Sequence, residues 1–145
     1  MAKKVFVTGC YDLLHSGHIE FFREASQYGD VYVALGSDHT VFGLKGRKPV
    51  NSEQERLFMV QAVSYVRDAF ISQGSGILDF ETELRQMRPD YFVVNSDGSI
   101  PEKEALCEEL DIEYIILERK PHNGVVASDT PIPQSVRIIA RRETE

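Results

Sequence analysis

Short apolar runs alternate with amphipathic stretches along most of the chain. This alternation predicts strands and helices in turn, the pattern of a parallel sheet with helices on both faces. The predicted strands are Val5–Thr8, Val31–Leu35, Ala69–Ile71, Tyr91–Val94 and Tyr114–Leu117. Each is nearly all apolar, as expected of strands covered on both sides. The expected fold class is α/β: a doubly wound, Rossmann-like parallel sheet of five strands.

Capping residues and apolar spacing predict four helices between these strands. The first runs from about Ser16 to Tyr28, with Gly29 as its C-cap. The second begins at Ser52, with Glu55 at capping-box spacing. The third carries the apolar residues Phe80, Leu84 and Met87 and ends before Pro89, and the fourth begins at Pro101.

Two segments are less regular. The long stretch Gly36–Val50 is predicted to be an irregular loop, and loops of that length are often functional. Near the C-terminus, Asp129 or Thr130 would cap a last helix with Pro131 at its first position. The apolar side chains that this helix would turn inward are Val136, Ile138 and Ile139.

The composition indicates one domain spanning residues 1–145, since the chain is too short for two of ordinary size. A formal net charge of −7 argues against nucleic-acid or membrane partners. The two cysteines, Cys10 and Cys107, make no disulfide framework and indicate a reducing, cytoplasmic location. Neither a signal-peptide pattern nor an apolar run of membrane-spanning length is found in the sequence.

The most informative chemistry lies where the first predicted strand meets the first predicted helix, in the segment Gly-Cys-Tyr-Asp-Leu-Leu-His-Ser-Gly-His of residues 9–18. A glycine-bearing turn lets backbone N–H groups approach an anion, and the helix N-terminus adds partial positive charge. His15 and His18, three residues apart, share one face of the first helical turn. The segment therefore predicts a phosphate-binding site.

Other interpretations of this segment stay open. Either histidine alone would more often be an ordinary exposed or hydrogen-bonded residue. A zinc site would need further ligands at matching spacing, which are lacking nearby. Cys10 beside the histidines would suit a nucleophile, although the surrounding glycines favour phosphate binding. A nicotinamide-dependent oxidoreductase is disfavoured because three spaced glycines do not follow the first strand.

Residues 9–18 resemble the signature of the cytidylyltransferase-like nucleotidyltransferases, Gly-x-Phe-Asp-x-x-His-x-Gly-His, with Tyr11 in place of the phenylalanine. Roughly the first two-thirds of the chain shares the resemblance. The matching pieces are Gly29-Asp30, Ser37-Asp38, Leu44-Lys45-Gly46, Pro49-Val50-Asn51 and Glu55-Arg56. This middle part is most similar to heptose-phosphate adenylyltransferases and glycerol-phosphate cytidylyltransferases.

The resemblance implies an enzyme that transfers a nucleotide from CTP or ATP to a phosphorylated sugar or polyol and releases pyrophosphate. It also implies Mg²⁺ as cofactor and a homodimer, with no metal-ligating residues assigned. The implied catalytic residues are His15, His18 and Lys45. The implied nucleotide-binding residues are Thr8, Gly9, Cys10, Tyr11, Asp12, Gly17, Asp97, Arg119, Ser128 and Thr130, and the implied substrate-binding residues are Asp38, Lys45 and Arg56.

Some positions depart from the family pattern or allow a second interpretation. Asn95-Ser96-Asp97 stands where Gly-x-Asp is usual, and Asp129 adds negative charge beside the hydroxyls of Ser128 and Thr130. Arg56 fits a helix-surface pair with Ser52 or Glu53 as well as it fits a substrate or subunit contact. The alternative function is a catalytically weak, nucleotide-binding regulatory protein of the same fold.

Overall fold

The computed structural model describes residues 2–118, together with the backbone of residues 137–139. Its strands are β1 (Lys4–Gly9), β2 (Asp30–Leu35), β3 (Val66–Ile71), β4 (Tyr91–Asn95), β5 (Glu113–Leu117) and β6 (Arg137–Ile139). The sheet has the order β3-β2-β1-β4-β5-β6. The first five strands run parallel, which confirms the predicted fold class, and β6 pairs antiparallel with β5.

The helices are α1 (Ser16–Ala25), α2 (Asp38–Lys45), α3 (Glu53–Gln61), α4 (Glu81–Met87) and α5 (Pro101–Leu110), with a 3₁₀ turn at Ser96–Gly98. The Ser52 hydroxyl accepts from the backbone N–H of Glu55, as the predicted capping spacing requires. Pro101 opens α5, as predicted. The first helix ends at Ala25, three residues before the predicted end, because residues 26–28 form turns.

Two cores cover the two faces of the sheet. On one face, Phe22 and Val60 from α1 and α3 pack on the β-branched side chains of β1 and β2. On the other face, Leu84 and Leu106 from α4 and α5 pack on an aromatic group that includes Phe6. Because both faces are covered, the strand ends are where this fold class binds its ligands. The carboxyl ends of β1 and β4, where the chain reverses its winding, form the crevice that such folds use for ligands.

Two predictions of secondary structure were wrong. The stretch Gly36–Val50 is not an irregular loop, since it contains α2. Ser37 caps this helix by accepting from the backbone N–H of Thr40, and Gly46 ends it in the left-handed conformation. Residues 137–139 form β6 instead of a helix, because β5 offers an open edge whose hydrogen bonds they complete. The predicted caps Asp129 and Thr130 and the residue Pro131 lie outside the described residues.

Both cysteines are free thiols, as predicted. Burial raises the pKa of the Cys107 thiol to about 12, so it stays protonated and acts as a small core side chain. Within the described ranges, none of the helices has the length and apolar character needed to cross a bilayer.

Candidate active site

The paired histidines cap the first helix reciprocally. His15 stands at the N-cap of α1, and its Nδ1 accepts from the backbone N–H of Gly17 at 3.0 Å. The Nδ1 of His18 in turn accepts from the backbone N–H of His15 at 3.2 Å. The two ring centroids are 4.0 Å apart. The spacing of three residues therefore does more than place both rings on one face, because each ring is also held by a backbone N–H group of the same turn.

These hydrogen bonds fix the tautomer of both rings. A ring nitrogen that accepts a hydrogen bond carries no proton, so in the neutral imidazole the proton is on Nε2. His15 is exposed and His18 is half-buried. Each imidazole therefore carries its proton on Nε2 close to the N-terminus of α1, where the helix dipole also favours negative charge.

Glycine is required at two positions in this turn by close approach of side chains. A Cβ at Gly17 would lie 2.8 Å from Cε1 of the His15 ring. A Cβ at Gly9 would lie 2.7 Å from Cζ of Tyr11. Either atom would displace a ring, so both glycines of the sequence motif serve packing of the turn itself.

Tyr11 turns the chain out of β1. Its φ of 55° is left-handed, and its buried ring packs edge-on against His18 with centroids 5.4 Å apart. The hydroxyl, which a phenylalanine would lack, donates to the carbonyl of Thr8 at 3.1 Å. Burial raises the pKa of Tyr11 well above its ordinary value, so this hydroxyl keeps its proton. Through its ring contact with His18, the Tyr11 side chain thus helps to orient the histidine pair.

Asp12 ties the turn to the segment after α2. Its carboxylate accepts from the backbone N–H groups of Val50 at 2.7 Å and Asn51 at 2.8 Å. The Asn51 side chain closes the link by donating to the Asp12 carbonyl at 2.6 Å. Desolvation acts to raise the pKa of Asp12, but the two hydrogen bonds and the charges of Arg56 and Lys45 outweigh it and lower the pKa.

Arg56 is not on the surface of α3, so the predicted pair with Ser52 or Glu53 is wrong. The residue is 1% exposed. Its guanidinium donates to the carbonyls of Cys10 at 2.9 Å, Gly36 at 2.7 Å and Asn51 at 3.1 Å. A fourth hydrogen bond of 2.8 Å reaches the Asp38 carboxylate. One buried side chain therefore joins the ends of β1 and β2 to the starts of α2 and α3.

The remaining predicted residues divide into three groups. Lys45, exposed at the end of α2, lies within electrostatic range of Asp12 and so belongs to the turn's surroundings. Asp97 is exposed in the 3₁₀ turn directly after β4, on the other side of β1. Arg119, Ser128 and Thr130 lie outside the described residues.

Sequence reasoning overlooked Asn51 and Ser37 as parts of the site, although both fall within motif pieces that carried the resemblance. A local signal could have found them. Ser37 is the N-cap of α2 and Asn51 directly precedes the N-cap of α3, and asparagine and serine are favoured at helix N-caps. What the sequence did not reveal is the partner, since Asn51 bonds Asp12 from 39 positions away.

A magnesium site formed by protein side chains alone does not fit the described residues. They include no group of three histidine, cysteine or carboxylate side chains placed to hold a metal ion. Asp12 has both oxygens occupied by backbone N–H groups. Among the described residues, His15 and His18 belong to no such group, so the zinc interpretation finds no further ligand there.

The doubly wound sheet and the capped histidine pair at its first strand-to-helix turn define an α/β protein whose candidate site lies at the end of β1. A family model described as cytidylyltransferase-like matches residues 6–135, and the chain belongs to this family. The resemblance found in the sequence is thereby confirmed, and the chain is a nucleotidyltransferase.

Two named relatives and one solved structure are similar to this chain. The chain is 37% identical over 122 residues to the FAD synthase of Aciduliprofundum boonei, covering 82% of this chain and 79% of that protein. It is 31% identical to the FAD synthase of Methanohalophilus mahii, covering 98% of both chains. The crystal structure of the lipopolysaccharide core biosynthesis protein from Thermoplasma volcanium superposes with a TM-score of 0.70, covering 85% of this chain and all of that one at 23% identity. At that identity the last likeness shows the fold alone.

Proposed function

We propose that this protein is an adenylyltransferase that transfers AMP from ATP to the phosphate of FMN, forming FAD and pyrophosphate. The observation that carries the phosphoryl chemistry is the reciprocal capping of His15 and His18, which holds both imidazole rings at the N-terminus of α1 with the proton of each on Nε2. The choice of ATP and FMN is supported by the name FAD synthase, which is carried by relatives that cover 98% and 82% of this chain. The sequence analysis expected a phosphorylated sugar or polyol as the acceptor, and the names of the relatives favour FMN instead.

In the proposed reaction an oxygen of the FMN phosphate attacks the α-phosphorus of ATP. A new P–O bond forms, the bond from the α-phosphorus to the bridging oxygen breaks, and pyrophosphate leaves with the electron pair. No proton has to be removed from the attacking phosphate oxygen, which is already anionic. The protein's task is therefore to position two anions and to stabilise the crowded phosphorus.

The residues of the turn suit this task. The Nε2–H groups of His15 and His18 donate to phosphate oxygens whose negative charge grows as the bond breaks. Lys45 adds a mobile positive charge from the end of α2. Arg56 supports the turn from within, because its guanidinium nitrogens are engaged by protein carbonyls and by Asp38. We therefore assign Arg56 a positioning role instead of the substrate contact expected from the sequence.

Magnesium enters the proposal as the counter-ion of the triphosphate. Mg²⁺ is commonly held by substrate phosphates with few protein ligands, which agrees with the lack of a carboxylate cluster in the described ranges. A homodimer and a cytoplasmic location also remain part of the proposal, as expected from the sequence.

The test is a product assay on the purified full chain with Mg²⁺. ATP and FMN should yield FAD and pyrophosphate in equal amounts, measured by chromatography and by a coupled pyrophosphate assay. Parallel reactions replace ATP with CTP, or FMN with glycerol phosphate or a heptose phosphate. Turnover only with one of these substitutes would overturn the assignment of donor or acceptor. Binding of ATP without pyrophosphate release from any mixture would favour the regulatory alternative.

A further inference from the structure

The 3₁₀ turn that follows β4 lies across the crevice from the histidine turn. β1 and β4 are neighbours in the sheet, and the winding of the chain reverses between them. Ligands of doubly wound proteins bind in such a crevice. The turn, Ser96–Gly98, carries Asp97, the exposed residue that the sequence resemblance assigns to the nucleotide. The position of this turn relative to the histidines therefore sets the shape of the crevice.

Two side chains from the body of the protein hold the turn. The ammonium of Lys103, on the first turn of α5, donates to the carbonyl of Gly98 at 2.9 Å. The hydroxyl of Tyr114, a fully buried residue of β5, donates to the hydroxyl of Ser99 at 3.0 Å. The chain is thus fixed at two consecutive residues, and one of the two hydrogen bonds comes from a charged group.

A lysine at position 103 is unfavourable for the helix that carries it. Lys103 is the third residue of α5, where the positive pole of the helix dipole disfavours a cation. The side chain is also half-buried, and burial lowers the pKa of its ammonium. The start of the helix does not depend on this residue, because Pro101, Glu102 and Glu104 already suit an N-terminus. The ammonium therefore serves a contact outside α5.

Asp79 provides the opposite charge. It is 9% exposed, lies just before α4 and is within electrostatic range of Lys103. Burial acts against the charged form of both groups, and the charge of each acts against that effect on the other. A Cβ at Gly36 would lie 3.5 Å from the Asp79 carboxylate. Because Gly36 directly follows β2, the two charges connect the end of β2 with the turn after β4.

These two charges and Arg56 act from opposite faces of the sheet. Arg56 belongs to α3 and donates to the carbonyl of Gly36 at 2.7 Å. Asp79 and Lys103 belong to the segments of α4 and α5, which cover the other face. The end of β2 is therefore held from both sides. Arg56 connects it with the histidine turn, and Asp79 with Lys103 connects it with the turn after β4.

From this arrangement we infer that Lys103 and Asp79 are a positioning pair, which holds the turn after β4 in the place where it binds ATP. The inference rests on the proposed function, since ATP is the donor of that reaction. Both residues act through the turn and neither touches a substrate. A contact that stabilises the bound substrate and the transition state equally changes KM and leaves kcat unaltered. The pair should therefore affect the KM for ATP and not the phosphoryl transfer itself.

The experiment compares Lys103→Met and Lys103→Arg with Lys3→Met, which changes an exposed lysine at the amino end of β1, away from the crevice. Assays use the full chain with Mg²⁺ at pH 8, where Asp79, with a pKa of about 6, is ionised. Lys103→Met should raise both the KM and the dissociation constant for ATP by about tenfold, the effect of losing one charge-assisted hydrogen bond. The kcat and the KM for FMN should stay within about twofold of the wild type.

Two further variants separate positioning from a general structural effect. Lys103→Arg keeps a charged donor, so it should bring the KM for ATP back to within about threefold of the wild type. Asp79→Asn removes the opposing charge and should raise the KM for ATP by roughly two- to fivefold. Combined with Lys103→Met, it should add nothing further, because the two residues act on the turn as a unit. Additive effects in the double variant would overturn the pairing.

The outcomes also separate this inference from the proposed function. If the wild type makes FAD and Lys103→Met binds ATP as tightly as Lys3→Met does, Lys103 has no positioning role and the proposed function still stands. A rise in the KM for FMN equal to that for ATP would likewise overturn the inference, because it would show a general loosening of the fold. If the wild type binds ATP and makes no FAD, the proposed function fails, and the dissociation constants for ATP still decide the role of Lys103.

Discussion

Replacing Arg56 by methionine should loosen the whole histidine turn. The substitution keeps an unbranched apolar stem of similar length and removes a guanidinium that makes four hydrogen bonds. The substitution leaves three backbone carbonyls without their hydrogen-bond donor. The hydrogen bond to the Gly36 carbonyl is fully buried, and those to the Cys10 and Asn51 carbonyls are partly buried. The fourth partner, Asp38, is 46% exposed, so water can hydrate its carboxylate once the arginine is gone.

The expected loss of stability follows from these exposures. A buried carbonyl left without a donor costs about 1–3 kcal/mol, and a partly buried one costs less because water reaches it. Removing the buried charge offsets part of this loss of stability, since the guanidinium no longer has to be desolvated on folding. The net expectation is a fall of about 2–4 kcal/mol in the free energy of unfolding, out of the 5–15 kcal/mol that is typical of a domain.

The assay is urea unfolding followed by far-UV circular dichroism, which suits a chain that has no tryptophan. The control is Arg85→Met on α4, where an equally charged but exposed arginine pairs with Glu81 and Glu109. That change should cost less than about 1 kcal/mol. At temperatures where Arg56→Met stays folded, its kcat should fall by roughly 10- to 100-fold, because displaced donors stabilise the transition state less. Equal stability and equal kcat in the two variants would refute the positioning role.

Two further predictions concern other groups. Replacing His18 by alanine should lower kcat by about 10²–10³-fold through loss of one preorganised donor, and the circular dichroism spectrum should be preserved. A sharp fall in stability at unchanged kcat would instead show that His18 is a structural residue. The second concerns Asp79, where burial and then the charge of Glu83 raise the pKa from 3.8 to about 6, against a smaller lowering by Lys103. Because the folded state keeps this proton longer than the unfolded state, stability should fall as pH rises from about 4 to 6, by at most about 3 kcal/mol. Asp79→Asn should remove that fall in urea titrations at pH 4 and pH 8, and parallel pH profiles for both proteins would contradict it.

The elements that the sequence predicted best are those whose pattern is local and repeated. The run Val5–Thr8 and its four counterparts appear as parallel strands with bounds extended by one to three residues. Ser52 and Pro101 begin helices as predicted, because caps act within one turn of their own position. α2 was overlooked since Gly43 and Gly46 suggest a loop, whereas only Gly46 ends the helix and Gly43 is tolerated within it.

The sequence predicted which residues form the candidate site, but not the contacts through which they act. The spacing of His15 and His18 predicted a shared helix face, and the structure adds that each ring accepts a hydrogen bond from a backbone N–H group of the turn, Gly17 for His15 and His15 for His18. For Arg56 the sequence left open a helix-surface pair with Ser52 or Glu53 and a substrate or subunit contact, and neither places Arg56 in the interior. Its burial depends on carbonyls at residues 10 and 36, which lie far away in the sequence and come together only when β1 and β2 pair.

The sequence alone determined the alternation of strands and helices, the family signature at residues 9–18 and the net negative charge of the chain outside residues 45–48. All three follow from residues within a few positions of one another, where propensity and capping act. Only the tertiary structure decided which contacts support the turn, namely Asp12 with Asn51 and Arg56 with two strand ends. It also brought Asp79 within electrostatic range of Lys103. The reason is physical: a hydrogen bond between distant residues forms only after burial of the two cores has brought their backbones together.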